Sequence, residues 1–414
     1  MPRRQGYALL IALMAGTAVL AAAMAFGTAL TAGKRPTPLT GTEANAAAHN
    51  PAAPAHSSGS WVATWTGAPV SGEPNTPHGY PGHTIRNVIH TSVGGDAARI
   101  TVSNLFGTTP LVIDRATVSA RPVTFQGRPT VTVPAGRQVV SDPVLVAVAP
   151  DADLEVSLRT PRPGGPVTQH PGSHRTSYLT DALATRTTTT WRYLTAVDVR
   201  NDRSPGAVVV LGDSLTAGSG STTDTDSRWP DVLSDRLGHR YGIANQGISG
   251  NRLLRESPSG RGGPRGTHRF ERDALSVAGA RTLIIALGIN DVQLAPQESD
   301  PRRVVAALRA LTERAHARGL RVVGTTLTPF QGFRTWTPER NAVRLAVNRQ
   351  IRSGRVYDDY IDFDRTVRDP YAPDRILPAY DSGDRLHFND TGYRALGRSI
   401  DLHTVSETAR ADVF

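Results

Sequence analysis

The sequence predicts an α/β unit, built on a parallel sheet with helices on both sides and preceded by an all-β sandwich. Three observations predict it. Ala207-Val208-Val209-Val210-Leu211 is an uninterrupted apolar run, the pattern of a strand buried on both faces. After it, strand-like and helix-like segments alternate, the order that builds a parallel sheet. Before it, from Trp61 to about Val199, short runs rich in Val, Ile and Thr recur between Gly, Pro and Asp turns, with no long helical period; many short strands with turn signals are the mark of a sandwich.

The individual elements follow from local patterns. In the first half, Ala98–Val102, Thr130–Val133 and Val144–Val148 read as strands, and Asp153–Leu158 alternates polar and apolar as a half-buried strand does. In the second half, further buried strands are expected at Tyr241–Ala244, Thr282–Leu287, Arg321–Leu327 and Val356–Phe363. Asp300-Pro301 and Thr337-Pro338 each open a helix, with the polar residue as N-cap and proline in the first turn. Val304, Leu308, Leu311 and Ala315 then share one helical face, as do Ala342, Leu345, Val347 and Ile351 in the second helix. His239 and His316 fall in segments read as helical and exposed.

The chain of 414 residues is long enough for two or three domains of about 100–200 residues each. Arg3 and Arg4 precede an uncharged apolar stretch from Tyr7 to about Ala32. Residues 1–33 are therefore expected to be an export signal peptide or an N-terminal membrane anchor, with the positive end cytoplasmic and the rest of the chain outside. Residues 34–60, rich in Pro, Ala, Thr, Ser and Gly, read as a flexible linker. Residues 61–199 form the β-sandwich accessory domain and residues 200–414 the α/β domain. The expected location is extracellular, either secreted or tethered to the outer face of the cytoplasmic membrane by residues 7–32.

Composition excludes several chemistries. There is no cysteine, which removes disulfides, thiolate metal sites and a cysteine nucleophile. The net charge of +10 is spread along the chain almost wholly as arginine. It forms no basic stripe interleaved with aromatics, so a nucleic-acid partner is not expected.

Four clusters can carry chemistry, and three lie at predicted strand ends, where reacting groups gather in open α/β sheets. The first strand ends in Gly212-Asp213-Ser214-Leu215, which presents a hydroxyl on a tight turn. The second ends in Asn245-Gln246-Gly247-Ile248-Ser249-Gly250-Asn251, whose glycines let backbone N–H groups approach an anion. The third ends in Gly288-Ile289-Asn290-Asp291, where a side-chain amide can donate to an oxyanion. Near the C-terminus, Asp384-Arg385-Leu386-His387 offers an imidazole base with an acid three residues earlier. Each cluster also has an ordinary structural reading as a cap or turn. Their joint order carries the functional one. The serine is not in a Gly-x-Ser-x-Gly elbow, which argues against an α/β-hydrolase fold.

These four clusters resemble the four blocks of the SGNH, or GDSL-type, esterase and lipase superfamily across about 205–402. Ser219-Gly-Ser-Thr, Arg228-Trp-Pro-Asp, Asn245 through Arg252 and Tyr380 through Asp384 resemble a secreted bacterial, xylan-esterase-like subgroup with an N-terminal β domain. Trp61-Val-Ala-Thr-Trp65 and Ser103 through Pro110 are similar to that domain. Phe388 departs from the proline that often follows the histidine. The resemblance implies a three-layer α/β/α, flavodoxin-like domain after a jelly-roll-like sandwich. It also implies a carboxylic ester hydrolase with Ser214 as nucleophile, His387 as base and Asp384 orienting it, Asp381 being the alternative acid. The oxyanion hole would comprise the N–H groups of Ser214 and Gly250 and the Asn290 amide. No metal or cofactor is implied. The expected partner is an ester substrate, an acylated polysaccharide or a lipid, met by a monomer. The alternatives are an O-acyltransferase using the same site and a glycan-binding surface protein.

Overall fold

The computed structural model describes residues 60–257 and 260–406. The expected leader and all but the last residue of the expected linker lie outside them. None of the described helices is long and apolar enough to cross a membrane.

The first half is built of antiparallel strands. The principal ones are β1 (Trp61–Thr66), β2 (His83–Thr91), β3 (Gly95–Ser103), β4 (Arg115–Val118), β5 (Arg121–Val123), β6 (Val144–Val148), β7 (Ala152–Thr160), β8 (Ser177–Thr180), β9 (Thr185–Thr188) and β10 (Leu194–Arg200). One sheet runs β1-β10-β3-β6 and a second β9-β8-β2-β7-β4-β5. In β7, Leu154, Val156 and Leu158 are buried while the residues between them face outward, so the alternation in the sequence sets which face meets the core. Those side chains share one cluster with Ile100, Val102, Val197 and Val199 of the other sheet.

The second half carries a five-stranded parallel sheet of β11 (Ala207–Gly212), β12 (Gly242–Gly247), β13 (Ala280–Ala286), β14 (Arg321–Thr325) and β15 (Asp359–Ile361), in the order β12-β11-β13-β14-β15. All six residues of β11 are buried. Val209 and Leu211 join a cluster with Val304, Leu308 and Val347, whereas Val208 and Val210 join a different one with Trp229, Leu233 and Tyr393. Burial of each such side chain is worth about 1.5–3 kcal/mol, so a polar residue in this strand would be costly. The principal helices are α1 (Ser214–Ala217), α2 (Trp229–Arg236), α3 (Gly266–Phe270), α4 (Ile289–Gln293), α5 (Pro301–His316), α6 (Pro338–Arg352), α7 (Phe363–Val367) and α8 (Asp390–Ser399). Asp300 and Thr337 cap α5 and α6 through their side chains.

Element boundaries differ from expectation, β13 starting two residues earlier and ending one earlier. β12 runs on to Gly247. β14 stops at Thr325 because the Asn348 side chain takes over the backbone groups of Leu327: Asn348 Oδ1 accepts from its N–H at 2.7 Å and Asn348 Nδ2 donates to its carbonyl at 2.8 Å. β15 is only Asp359–Ile361; Val356 and Tyr357 are buried core residues outside the ladder. His239 is not helical: it follows α2 in a turn with φ of 52°.

The described residues form one compact unit. β1 lies along the free edge of β12. The Ile243 N–H donates to Ser92 Oγ at 2.8 Å and Thr66 Oγ1 donates to the Asn245 carbonyl at 3.3 Å. A Cβ on Gly242 would stand 2.1 Å from the Ala63 carbonyl oxygen, so only glycine permits this approach.

Candidate active site

Ser214, separated from the end of β11 by Asp213 alone, is the first residue of α1. Asp213 is the N-cap, its Oδ1 accepting from the Leu215 N–H at 3.0 Å. The cap is thus made by the aspartate, which leaves the serine hydroxyl for other work. His387 lies on the loop between Asp381 and Phe388. That loop is closed by an antiparallel bridge between those two residues, and the Ser382 N–H donates to the His387 carbonyl at 3.0 Å. Phe388 is fully buried, its ring edge-on to Tyr393 with centroids 5.6 Å apart; packing fixes the loop where a proline is often found.

The sequence places Ser214 and His387 173 residues apart; the fold brings His387 Nε2 to 2.9 Å from Ser214 Oγ. His387 Nδ1 stands 2.6 Å from Asp384 Oδ2. A carboxylate only accepts, so Nδ1–H donates to it and Nε2 is left to accept the serine proton. Asp384 Oδ1 accepts from the Leu386 and His387 N–H groups at 2.9 and 2.8 Å. Partial burial alone would raise the Asp384 carboxyl, but the hydrogen bonds from the His387 backbone and ring and from the Leu386 N–H hold it below the usual range. Asp381 is occupied elsewhere: it accepts from the Gly383 and Arg385 N–H groups at 2.8 and 3.0 Å and pairs with the Arg385 guanidinium at 2.6 Å.

The oxyanion candidates sit on the neighbouring strand ends. Gly250 follows β12 with φ of 75°, a conformation glycine adopts without strain. Asn290, in the first turn of α4, is 3% exposed. Its Nδ2 donates to the Asn251 carbonyl at 3.0 Å. Asp291 is fully buried and accepts from the Leu253 and Leu254 N–H groups at 2.7 and 2.9 Å, which ties the loop after β12 to α4. The Ser214 N–H belongs to the first turn of a helix, where N–H groups have no intrahelical acceptor.

Sequence reasoning missed the residue that holds these strand ends together. Arg269 of α3 is 1% exposed. It donates to the carbonyls of Gly212 and Gln246, each at 2.8 Å, to Asn251 Oδ1 at 3.0 Å and to Asp273 at 3.1 Å. It therefore ties the ends of β11 and β12 to the Gly250 turn. No spacing pattern marks it, because its acceptors lie up to 57 residues away.

Burial pushes the Asp213 carboxyl up to about 7, and the Asp291 charge adds to the rise. Between an unfolded value near 3.9 and about 7, the folded chain holds a proton that the unfolded chain has released. The contribution of Asp213 to stability therefore falls as pH rises through that window. Asp213→Asn keeps an acceptor for the Leu215 N–H and carries no charge. Its melting temperature relative to the native chain is expected to rise by about 2–4 °C between pH 5 and pH 8. A difference that stays constant over that range in paired thermal melts would show that Asp213 titrates normally.

Among the described residues, two clusters each bring one histidine to two aspartates away from this site: His90 with Asp153 and Asp226, and His239 with Asp151 and Asp235. In the first, the Arg175 guanidinium already pairs with both carboxylates. Neither includes Ser214, Asp384 or His387.

A hydroxyl, an imidazole and a carboxylate in file at the carboxyl end of a parallel sheet equip the chain for acyl transfer. Residues 210–395 match the model of the GDSL-like Lipase/Acylhydrolase family. The chain thus carries a GDSL-like lipase/acylhydrolase domain and is a carboxylic ester hydrolase. Similar solved structures include an aryl esterase from M. smegmatis, at 18% identity and TM-score 0.38 over 46% of this chain and 94% of that one. A carbohydrate acetylesterase from Sinorhizobium meliloti matches at 18% identity and TM-score 0.37, over 47% and 95% respectively. A GDSL-like lipase from Bacteroides thetaiotaomicron matches at 18% identity and TM-score 0.36, over 48% and 88%. No curated protein matches the chain.

Proposed function

We propose that the chain is an exported serine esterase that hydrolyses short O-acyl esters on carbohydrate or lipid. The observation that carries this is the file Ser214 Oγ, His387 Nε2, His387 Nδ1, Asp384 Oδ2, with separations of 2.9 and 2.6 Å. Ser214 attacks the ester carbonyl while His387 takes its proton. The tetrahedral oxyanion is received by the N–H groups of Ser214 and Gly250 and by Asn290 Nδ2. His387 then protonates the leaving alcohol, and water repeats the sequence on the acyl-enzyme. Asp384, already ionised below the usual range, keeps the imidazole in the right tautomer throughout.

The wider reading is of a piece with this. The strand order β12-β11-β13-β14-β15 and the two clusters on alternate residues of β11 support a three-layer, flavodoxin-like catalytic domain over residues 200–414, preceded by a jelly-roll-like sandwich over 61–199. The apolar stretch behind Arg3 and Arg4 supports export, as a monomer secreted or tethered outside the membrane. The secreted xylan-esterase-like subgroup is the proposed relative, and acetyl groups on a wall or plant polysaccharide the proposed substrate.

The test is a screen of p-nitrophenyl esters of rising acyl length beside acetylated xylan, with products identified by mass. The expected result is free acid, fastest from acetyl and falling with chain length. Acylated sugar in place of free acid would make the enzyme a transferase, and inactivity on every ester would remove the proposal.

A further inference from the structure

Gln293 closes α4 one turn after Asn290. It is 2% exposed, and nothing in the proposed chemistry uses it. Its Nε2 donates to Asn290 Oδ1 at 2.9 Å, and its Oε1 accepts from Thr335 Oγ1 at 2.9 Å. The direction of this chain is forced from one end. The acceptor of Asn290 Nδ2 is the backbone carbonyl of Asn251, which cannot donate. Asn290 must therefore turn its NH2 group to that carbonyl and its oxygen to Gln293, and Gln293 must meet that oxygen with its own NH2 group.

A primary amide has nearly the same shape when turned over. Held the other way, Asn290 would offer an oxygen where the oxyanion forms, and repulsion would replace a hydrogen bond. We propose that Gln293 is a positioning residue that, together with the Asn251 carbonyl, holds the Asn290 amide in its donating orientation and so helps set the strength of the oxyanion hole. This rests on the reading of Asn290 as an oxyanion donor. One Nδ2 hydrogen is spent on Asn251 and the other remains for the transition state. Thr335 at the far end stands on the segment between β14 and α6, beside Phe333 and Trp336, so the same relay links that segment to the oxyanion hole.

Gln293→Glu reverses the lock. The new carboxylate can only accept, so it repels Asn290 Oδ1 and attracts Nδ2. The expected result is a fall in kcat of about 10²–10³, the loss typical of one oxyanion donor, with KM within about threefold of the native value, since an interaction made only in the transition state is what is lost. Two readouts separate positioning from bulk structure. Activity relative to the native enzyme should recover at acid pH, where the carboxyl is protonated and can donate. In an Asn290→Ala background the substitution should cost nothing further.

Asn290→Ala alone is expected to lose about 10²–10³ in kcat. If that loss is under about threefold, the assignment of Asn290 itself fails. If Asn290→Ala is crippling but Gln293→Glu keeps more than about a third of native kcat, the positioning role fails and Asn290 stands. Should Gln293→Glu not fold, Gln293→Met, of the same length but without an amide, decides: a loss that vanishes in the Asn290→Ala background supports the lock, and an equal loss in both backgrounds overturns it.

Discussion

Ser214→Ala is expected to lower kcat on p-nitrophenyl acetate by about 10⁴–10⁶-fold, the cost of removing a nucleophile that acts as one unit with its base, and to leave the melting temperature within about 2 °C of native. The second half of that expectation is as informative as the first. Ser214 is not the cap of α1; Asp213 is. Its hydroxyl bonds to His387 Nε2, and alanine is the best helix former for the position it vacates. The fold therefore has little reason to notice the change while the chemistry loses its attacking atom. Purified variant retaining a tenth of native activity, free of contaminating esterase, would dismiss Ser214 as nucleophile.

Arg269→Leu is the largest structural change expected. The guanidinium is buried among two backbone carbonyls, one amide oxygen and one carboxylate. Leucine fills part of the volume but takes the arginine's hydrogen bonds from the carbonyls of Gly212 and Gln246, from Asn251 Oδ1 and from Asp273, of which Gly212 keeps the Ile248 N–H and Asp273 keeps Arg272. Removing one member of such a buried charged network costs about 3–5 kcal/mol, equivalent to a fall in melting temperature of roughly 4–7 °C for a unit of this size. Activity should fall as well, because the strand ends that carry Ser214 and the Gly250 turn are no longer tied. Lysine is a poor substitute, since one ammonium cannot reach acceptors spread over a planar fork. A calorimetric melt of the leucine variant within about 2 °C of native would mean that ordered water or backbone shifts replace the arginine in full.

What the sequence revealed and what it concealed divide along physical lines. The β11 strand and the α5 and α6 starts are written in consecutive residues: a run of apolar side chains, or an N-cap followed by proline. Such signals are local, and the structure follows them closely. The four site clusters were legible because each is a short motif, three of them at strand ends. Arg269 and Gln293 were not. Their meaning lies in which carbonyls and amides the fold brings to them, and an arginine or glutamine on a helix ordinarily reads as a solvated residue. The end of β14 was misread for the same reason, since a side chain 21 residues away takes over the pairing of Leu327. Phe388 changed its meaning once its burial against Tyr393 was seen. It is an anchor, and the bridge from Asp381 to Phe388 holds the histidine loop in shape.

The approach of β1 to the margin of the parallel sheet bears on how this enzyme can be dissected. With Gly242 fitted under Ala63 and the amide of Ile243 satisfied by Ser92, the antiparallel half serves as a selvedge that keeps the neighbouring fabric from fraying. Expressed without it, the hydrolase half would present a naked strand of unsatisfied peptide groups, a template on which identical copies aggregate. Attempts to trim this protein to a minimal catalyst should therefore retain the first antiparallel strand, or disguise that margin with charge.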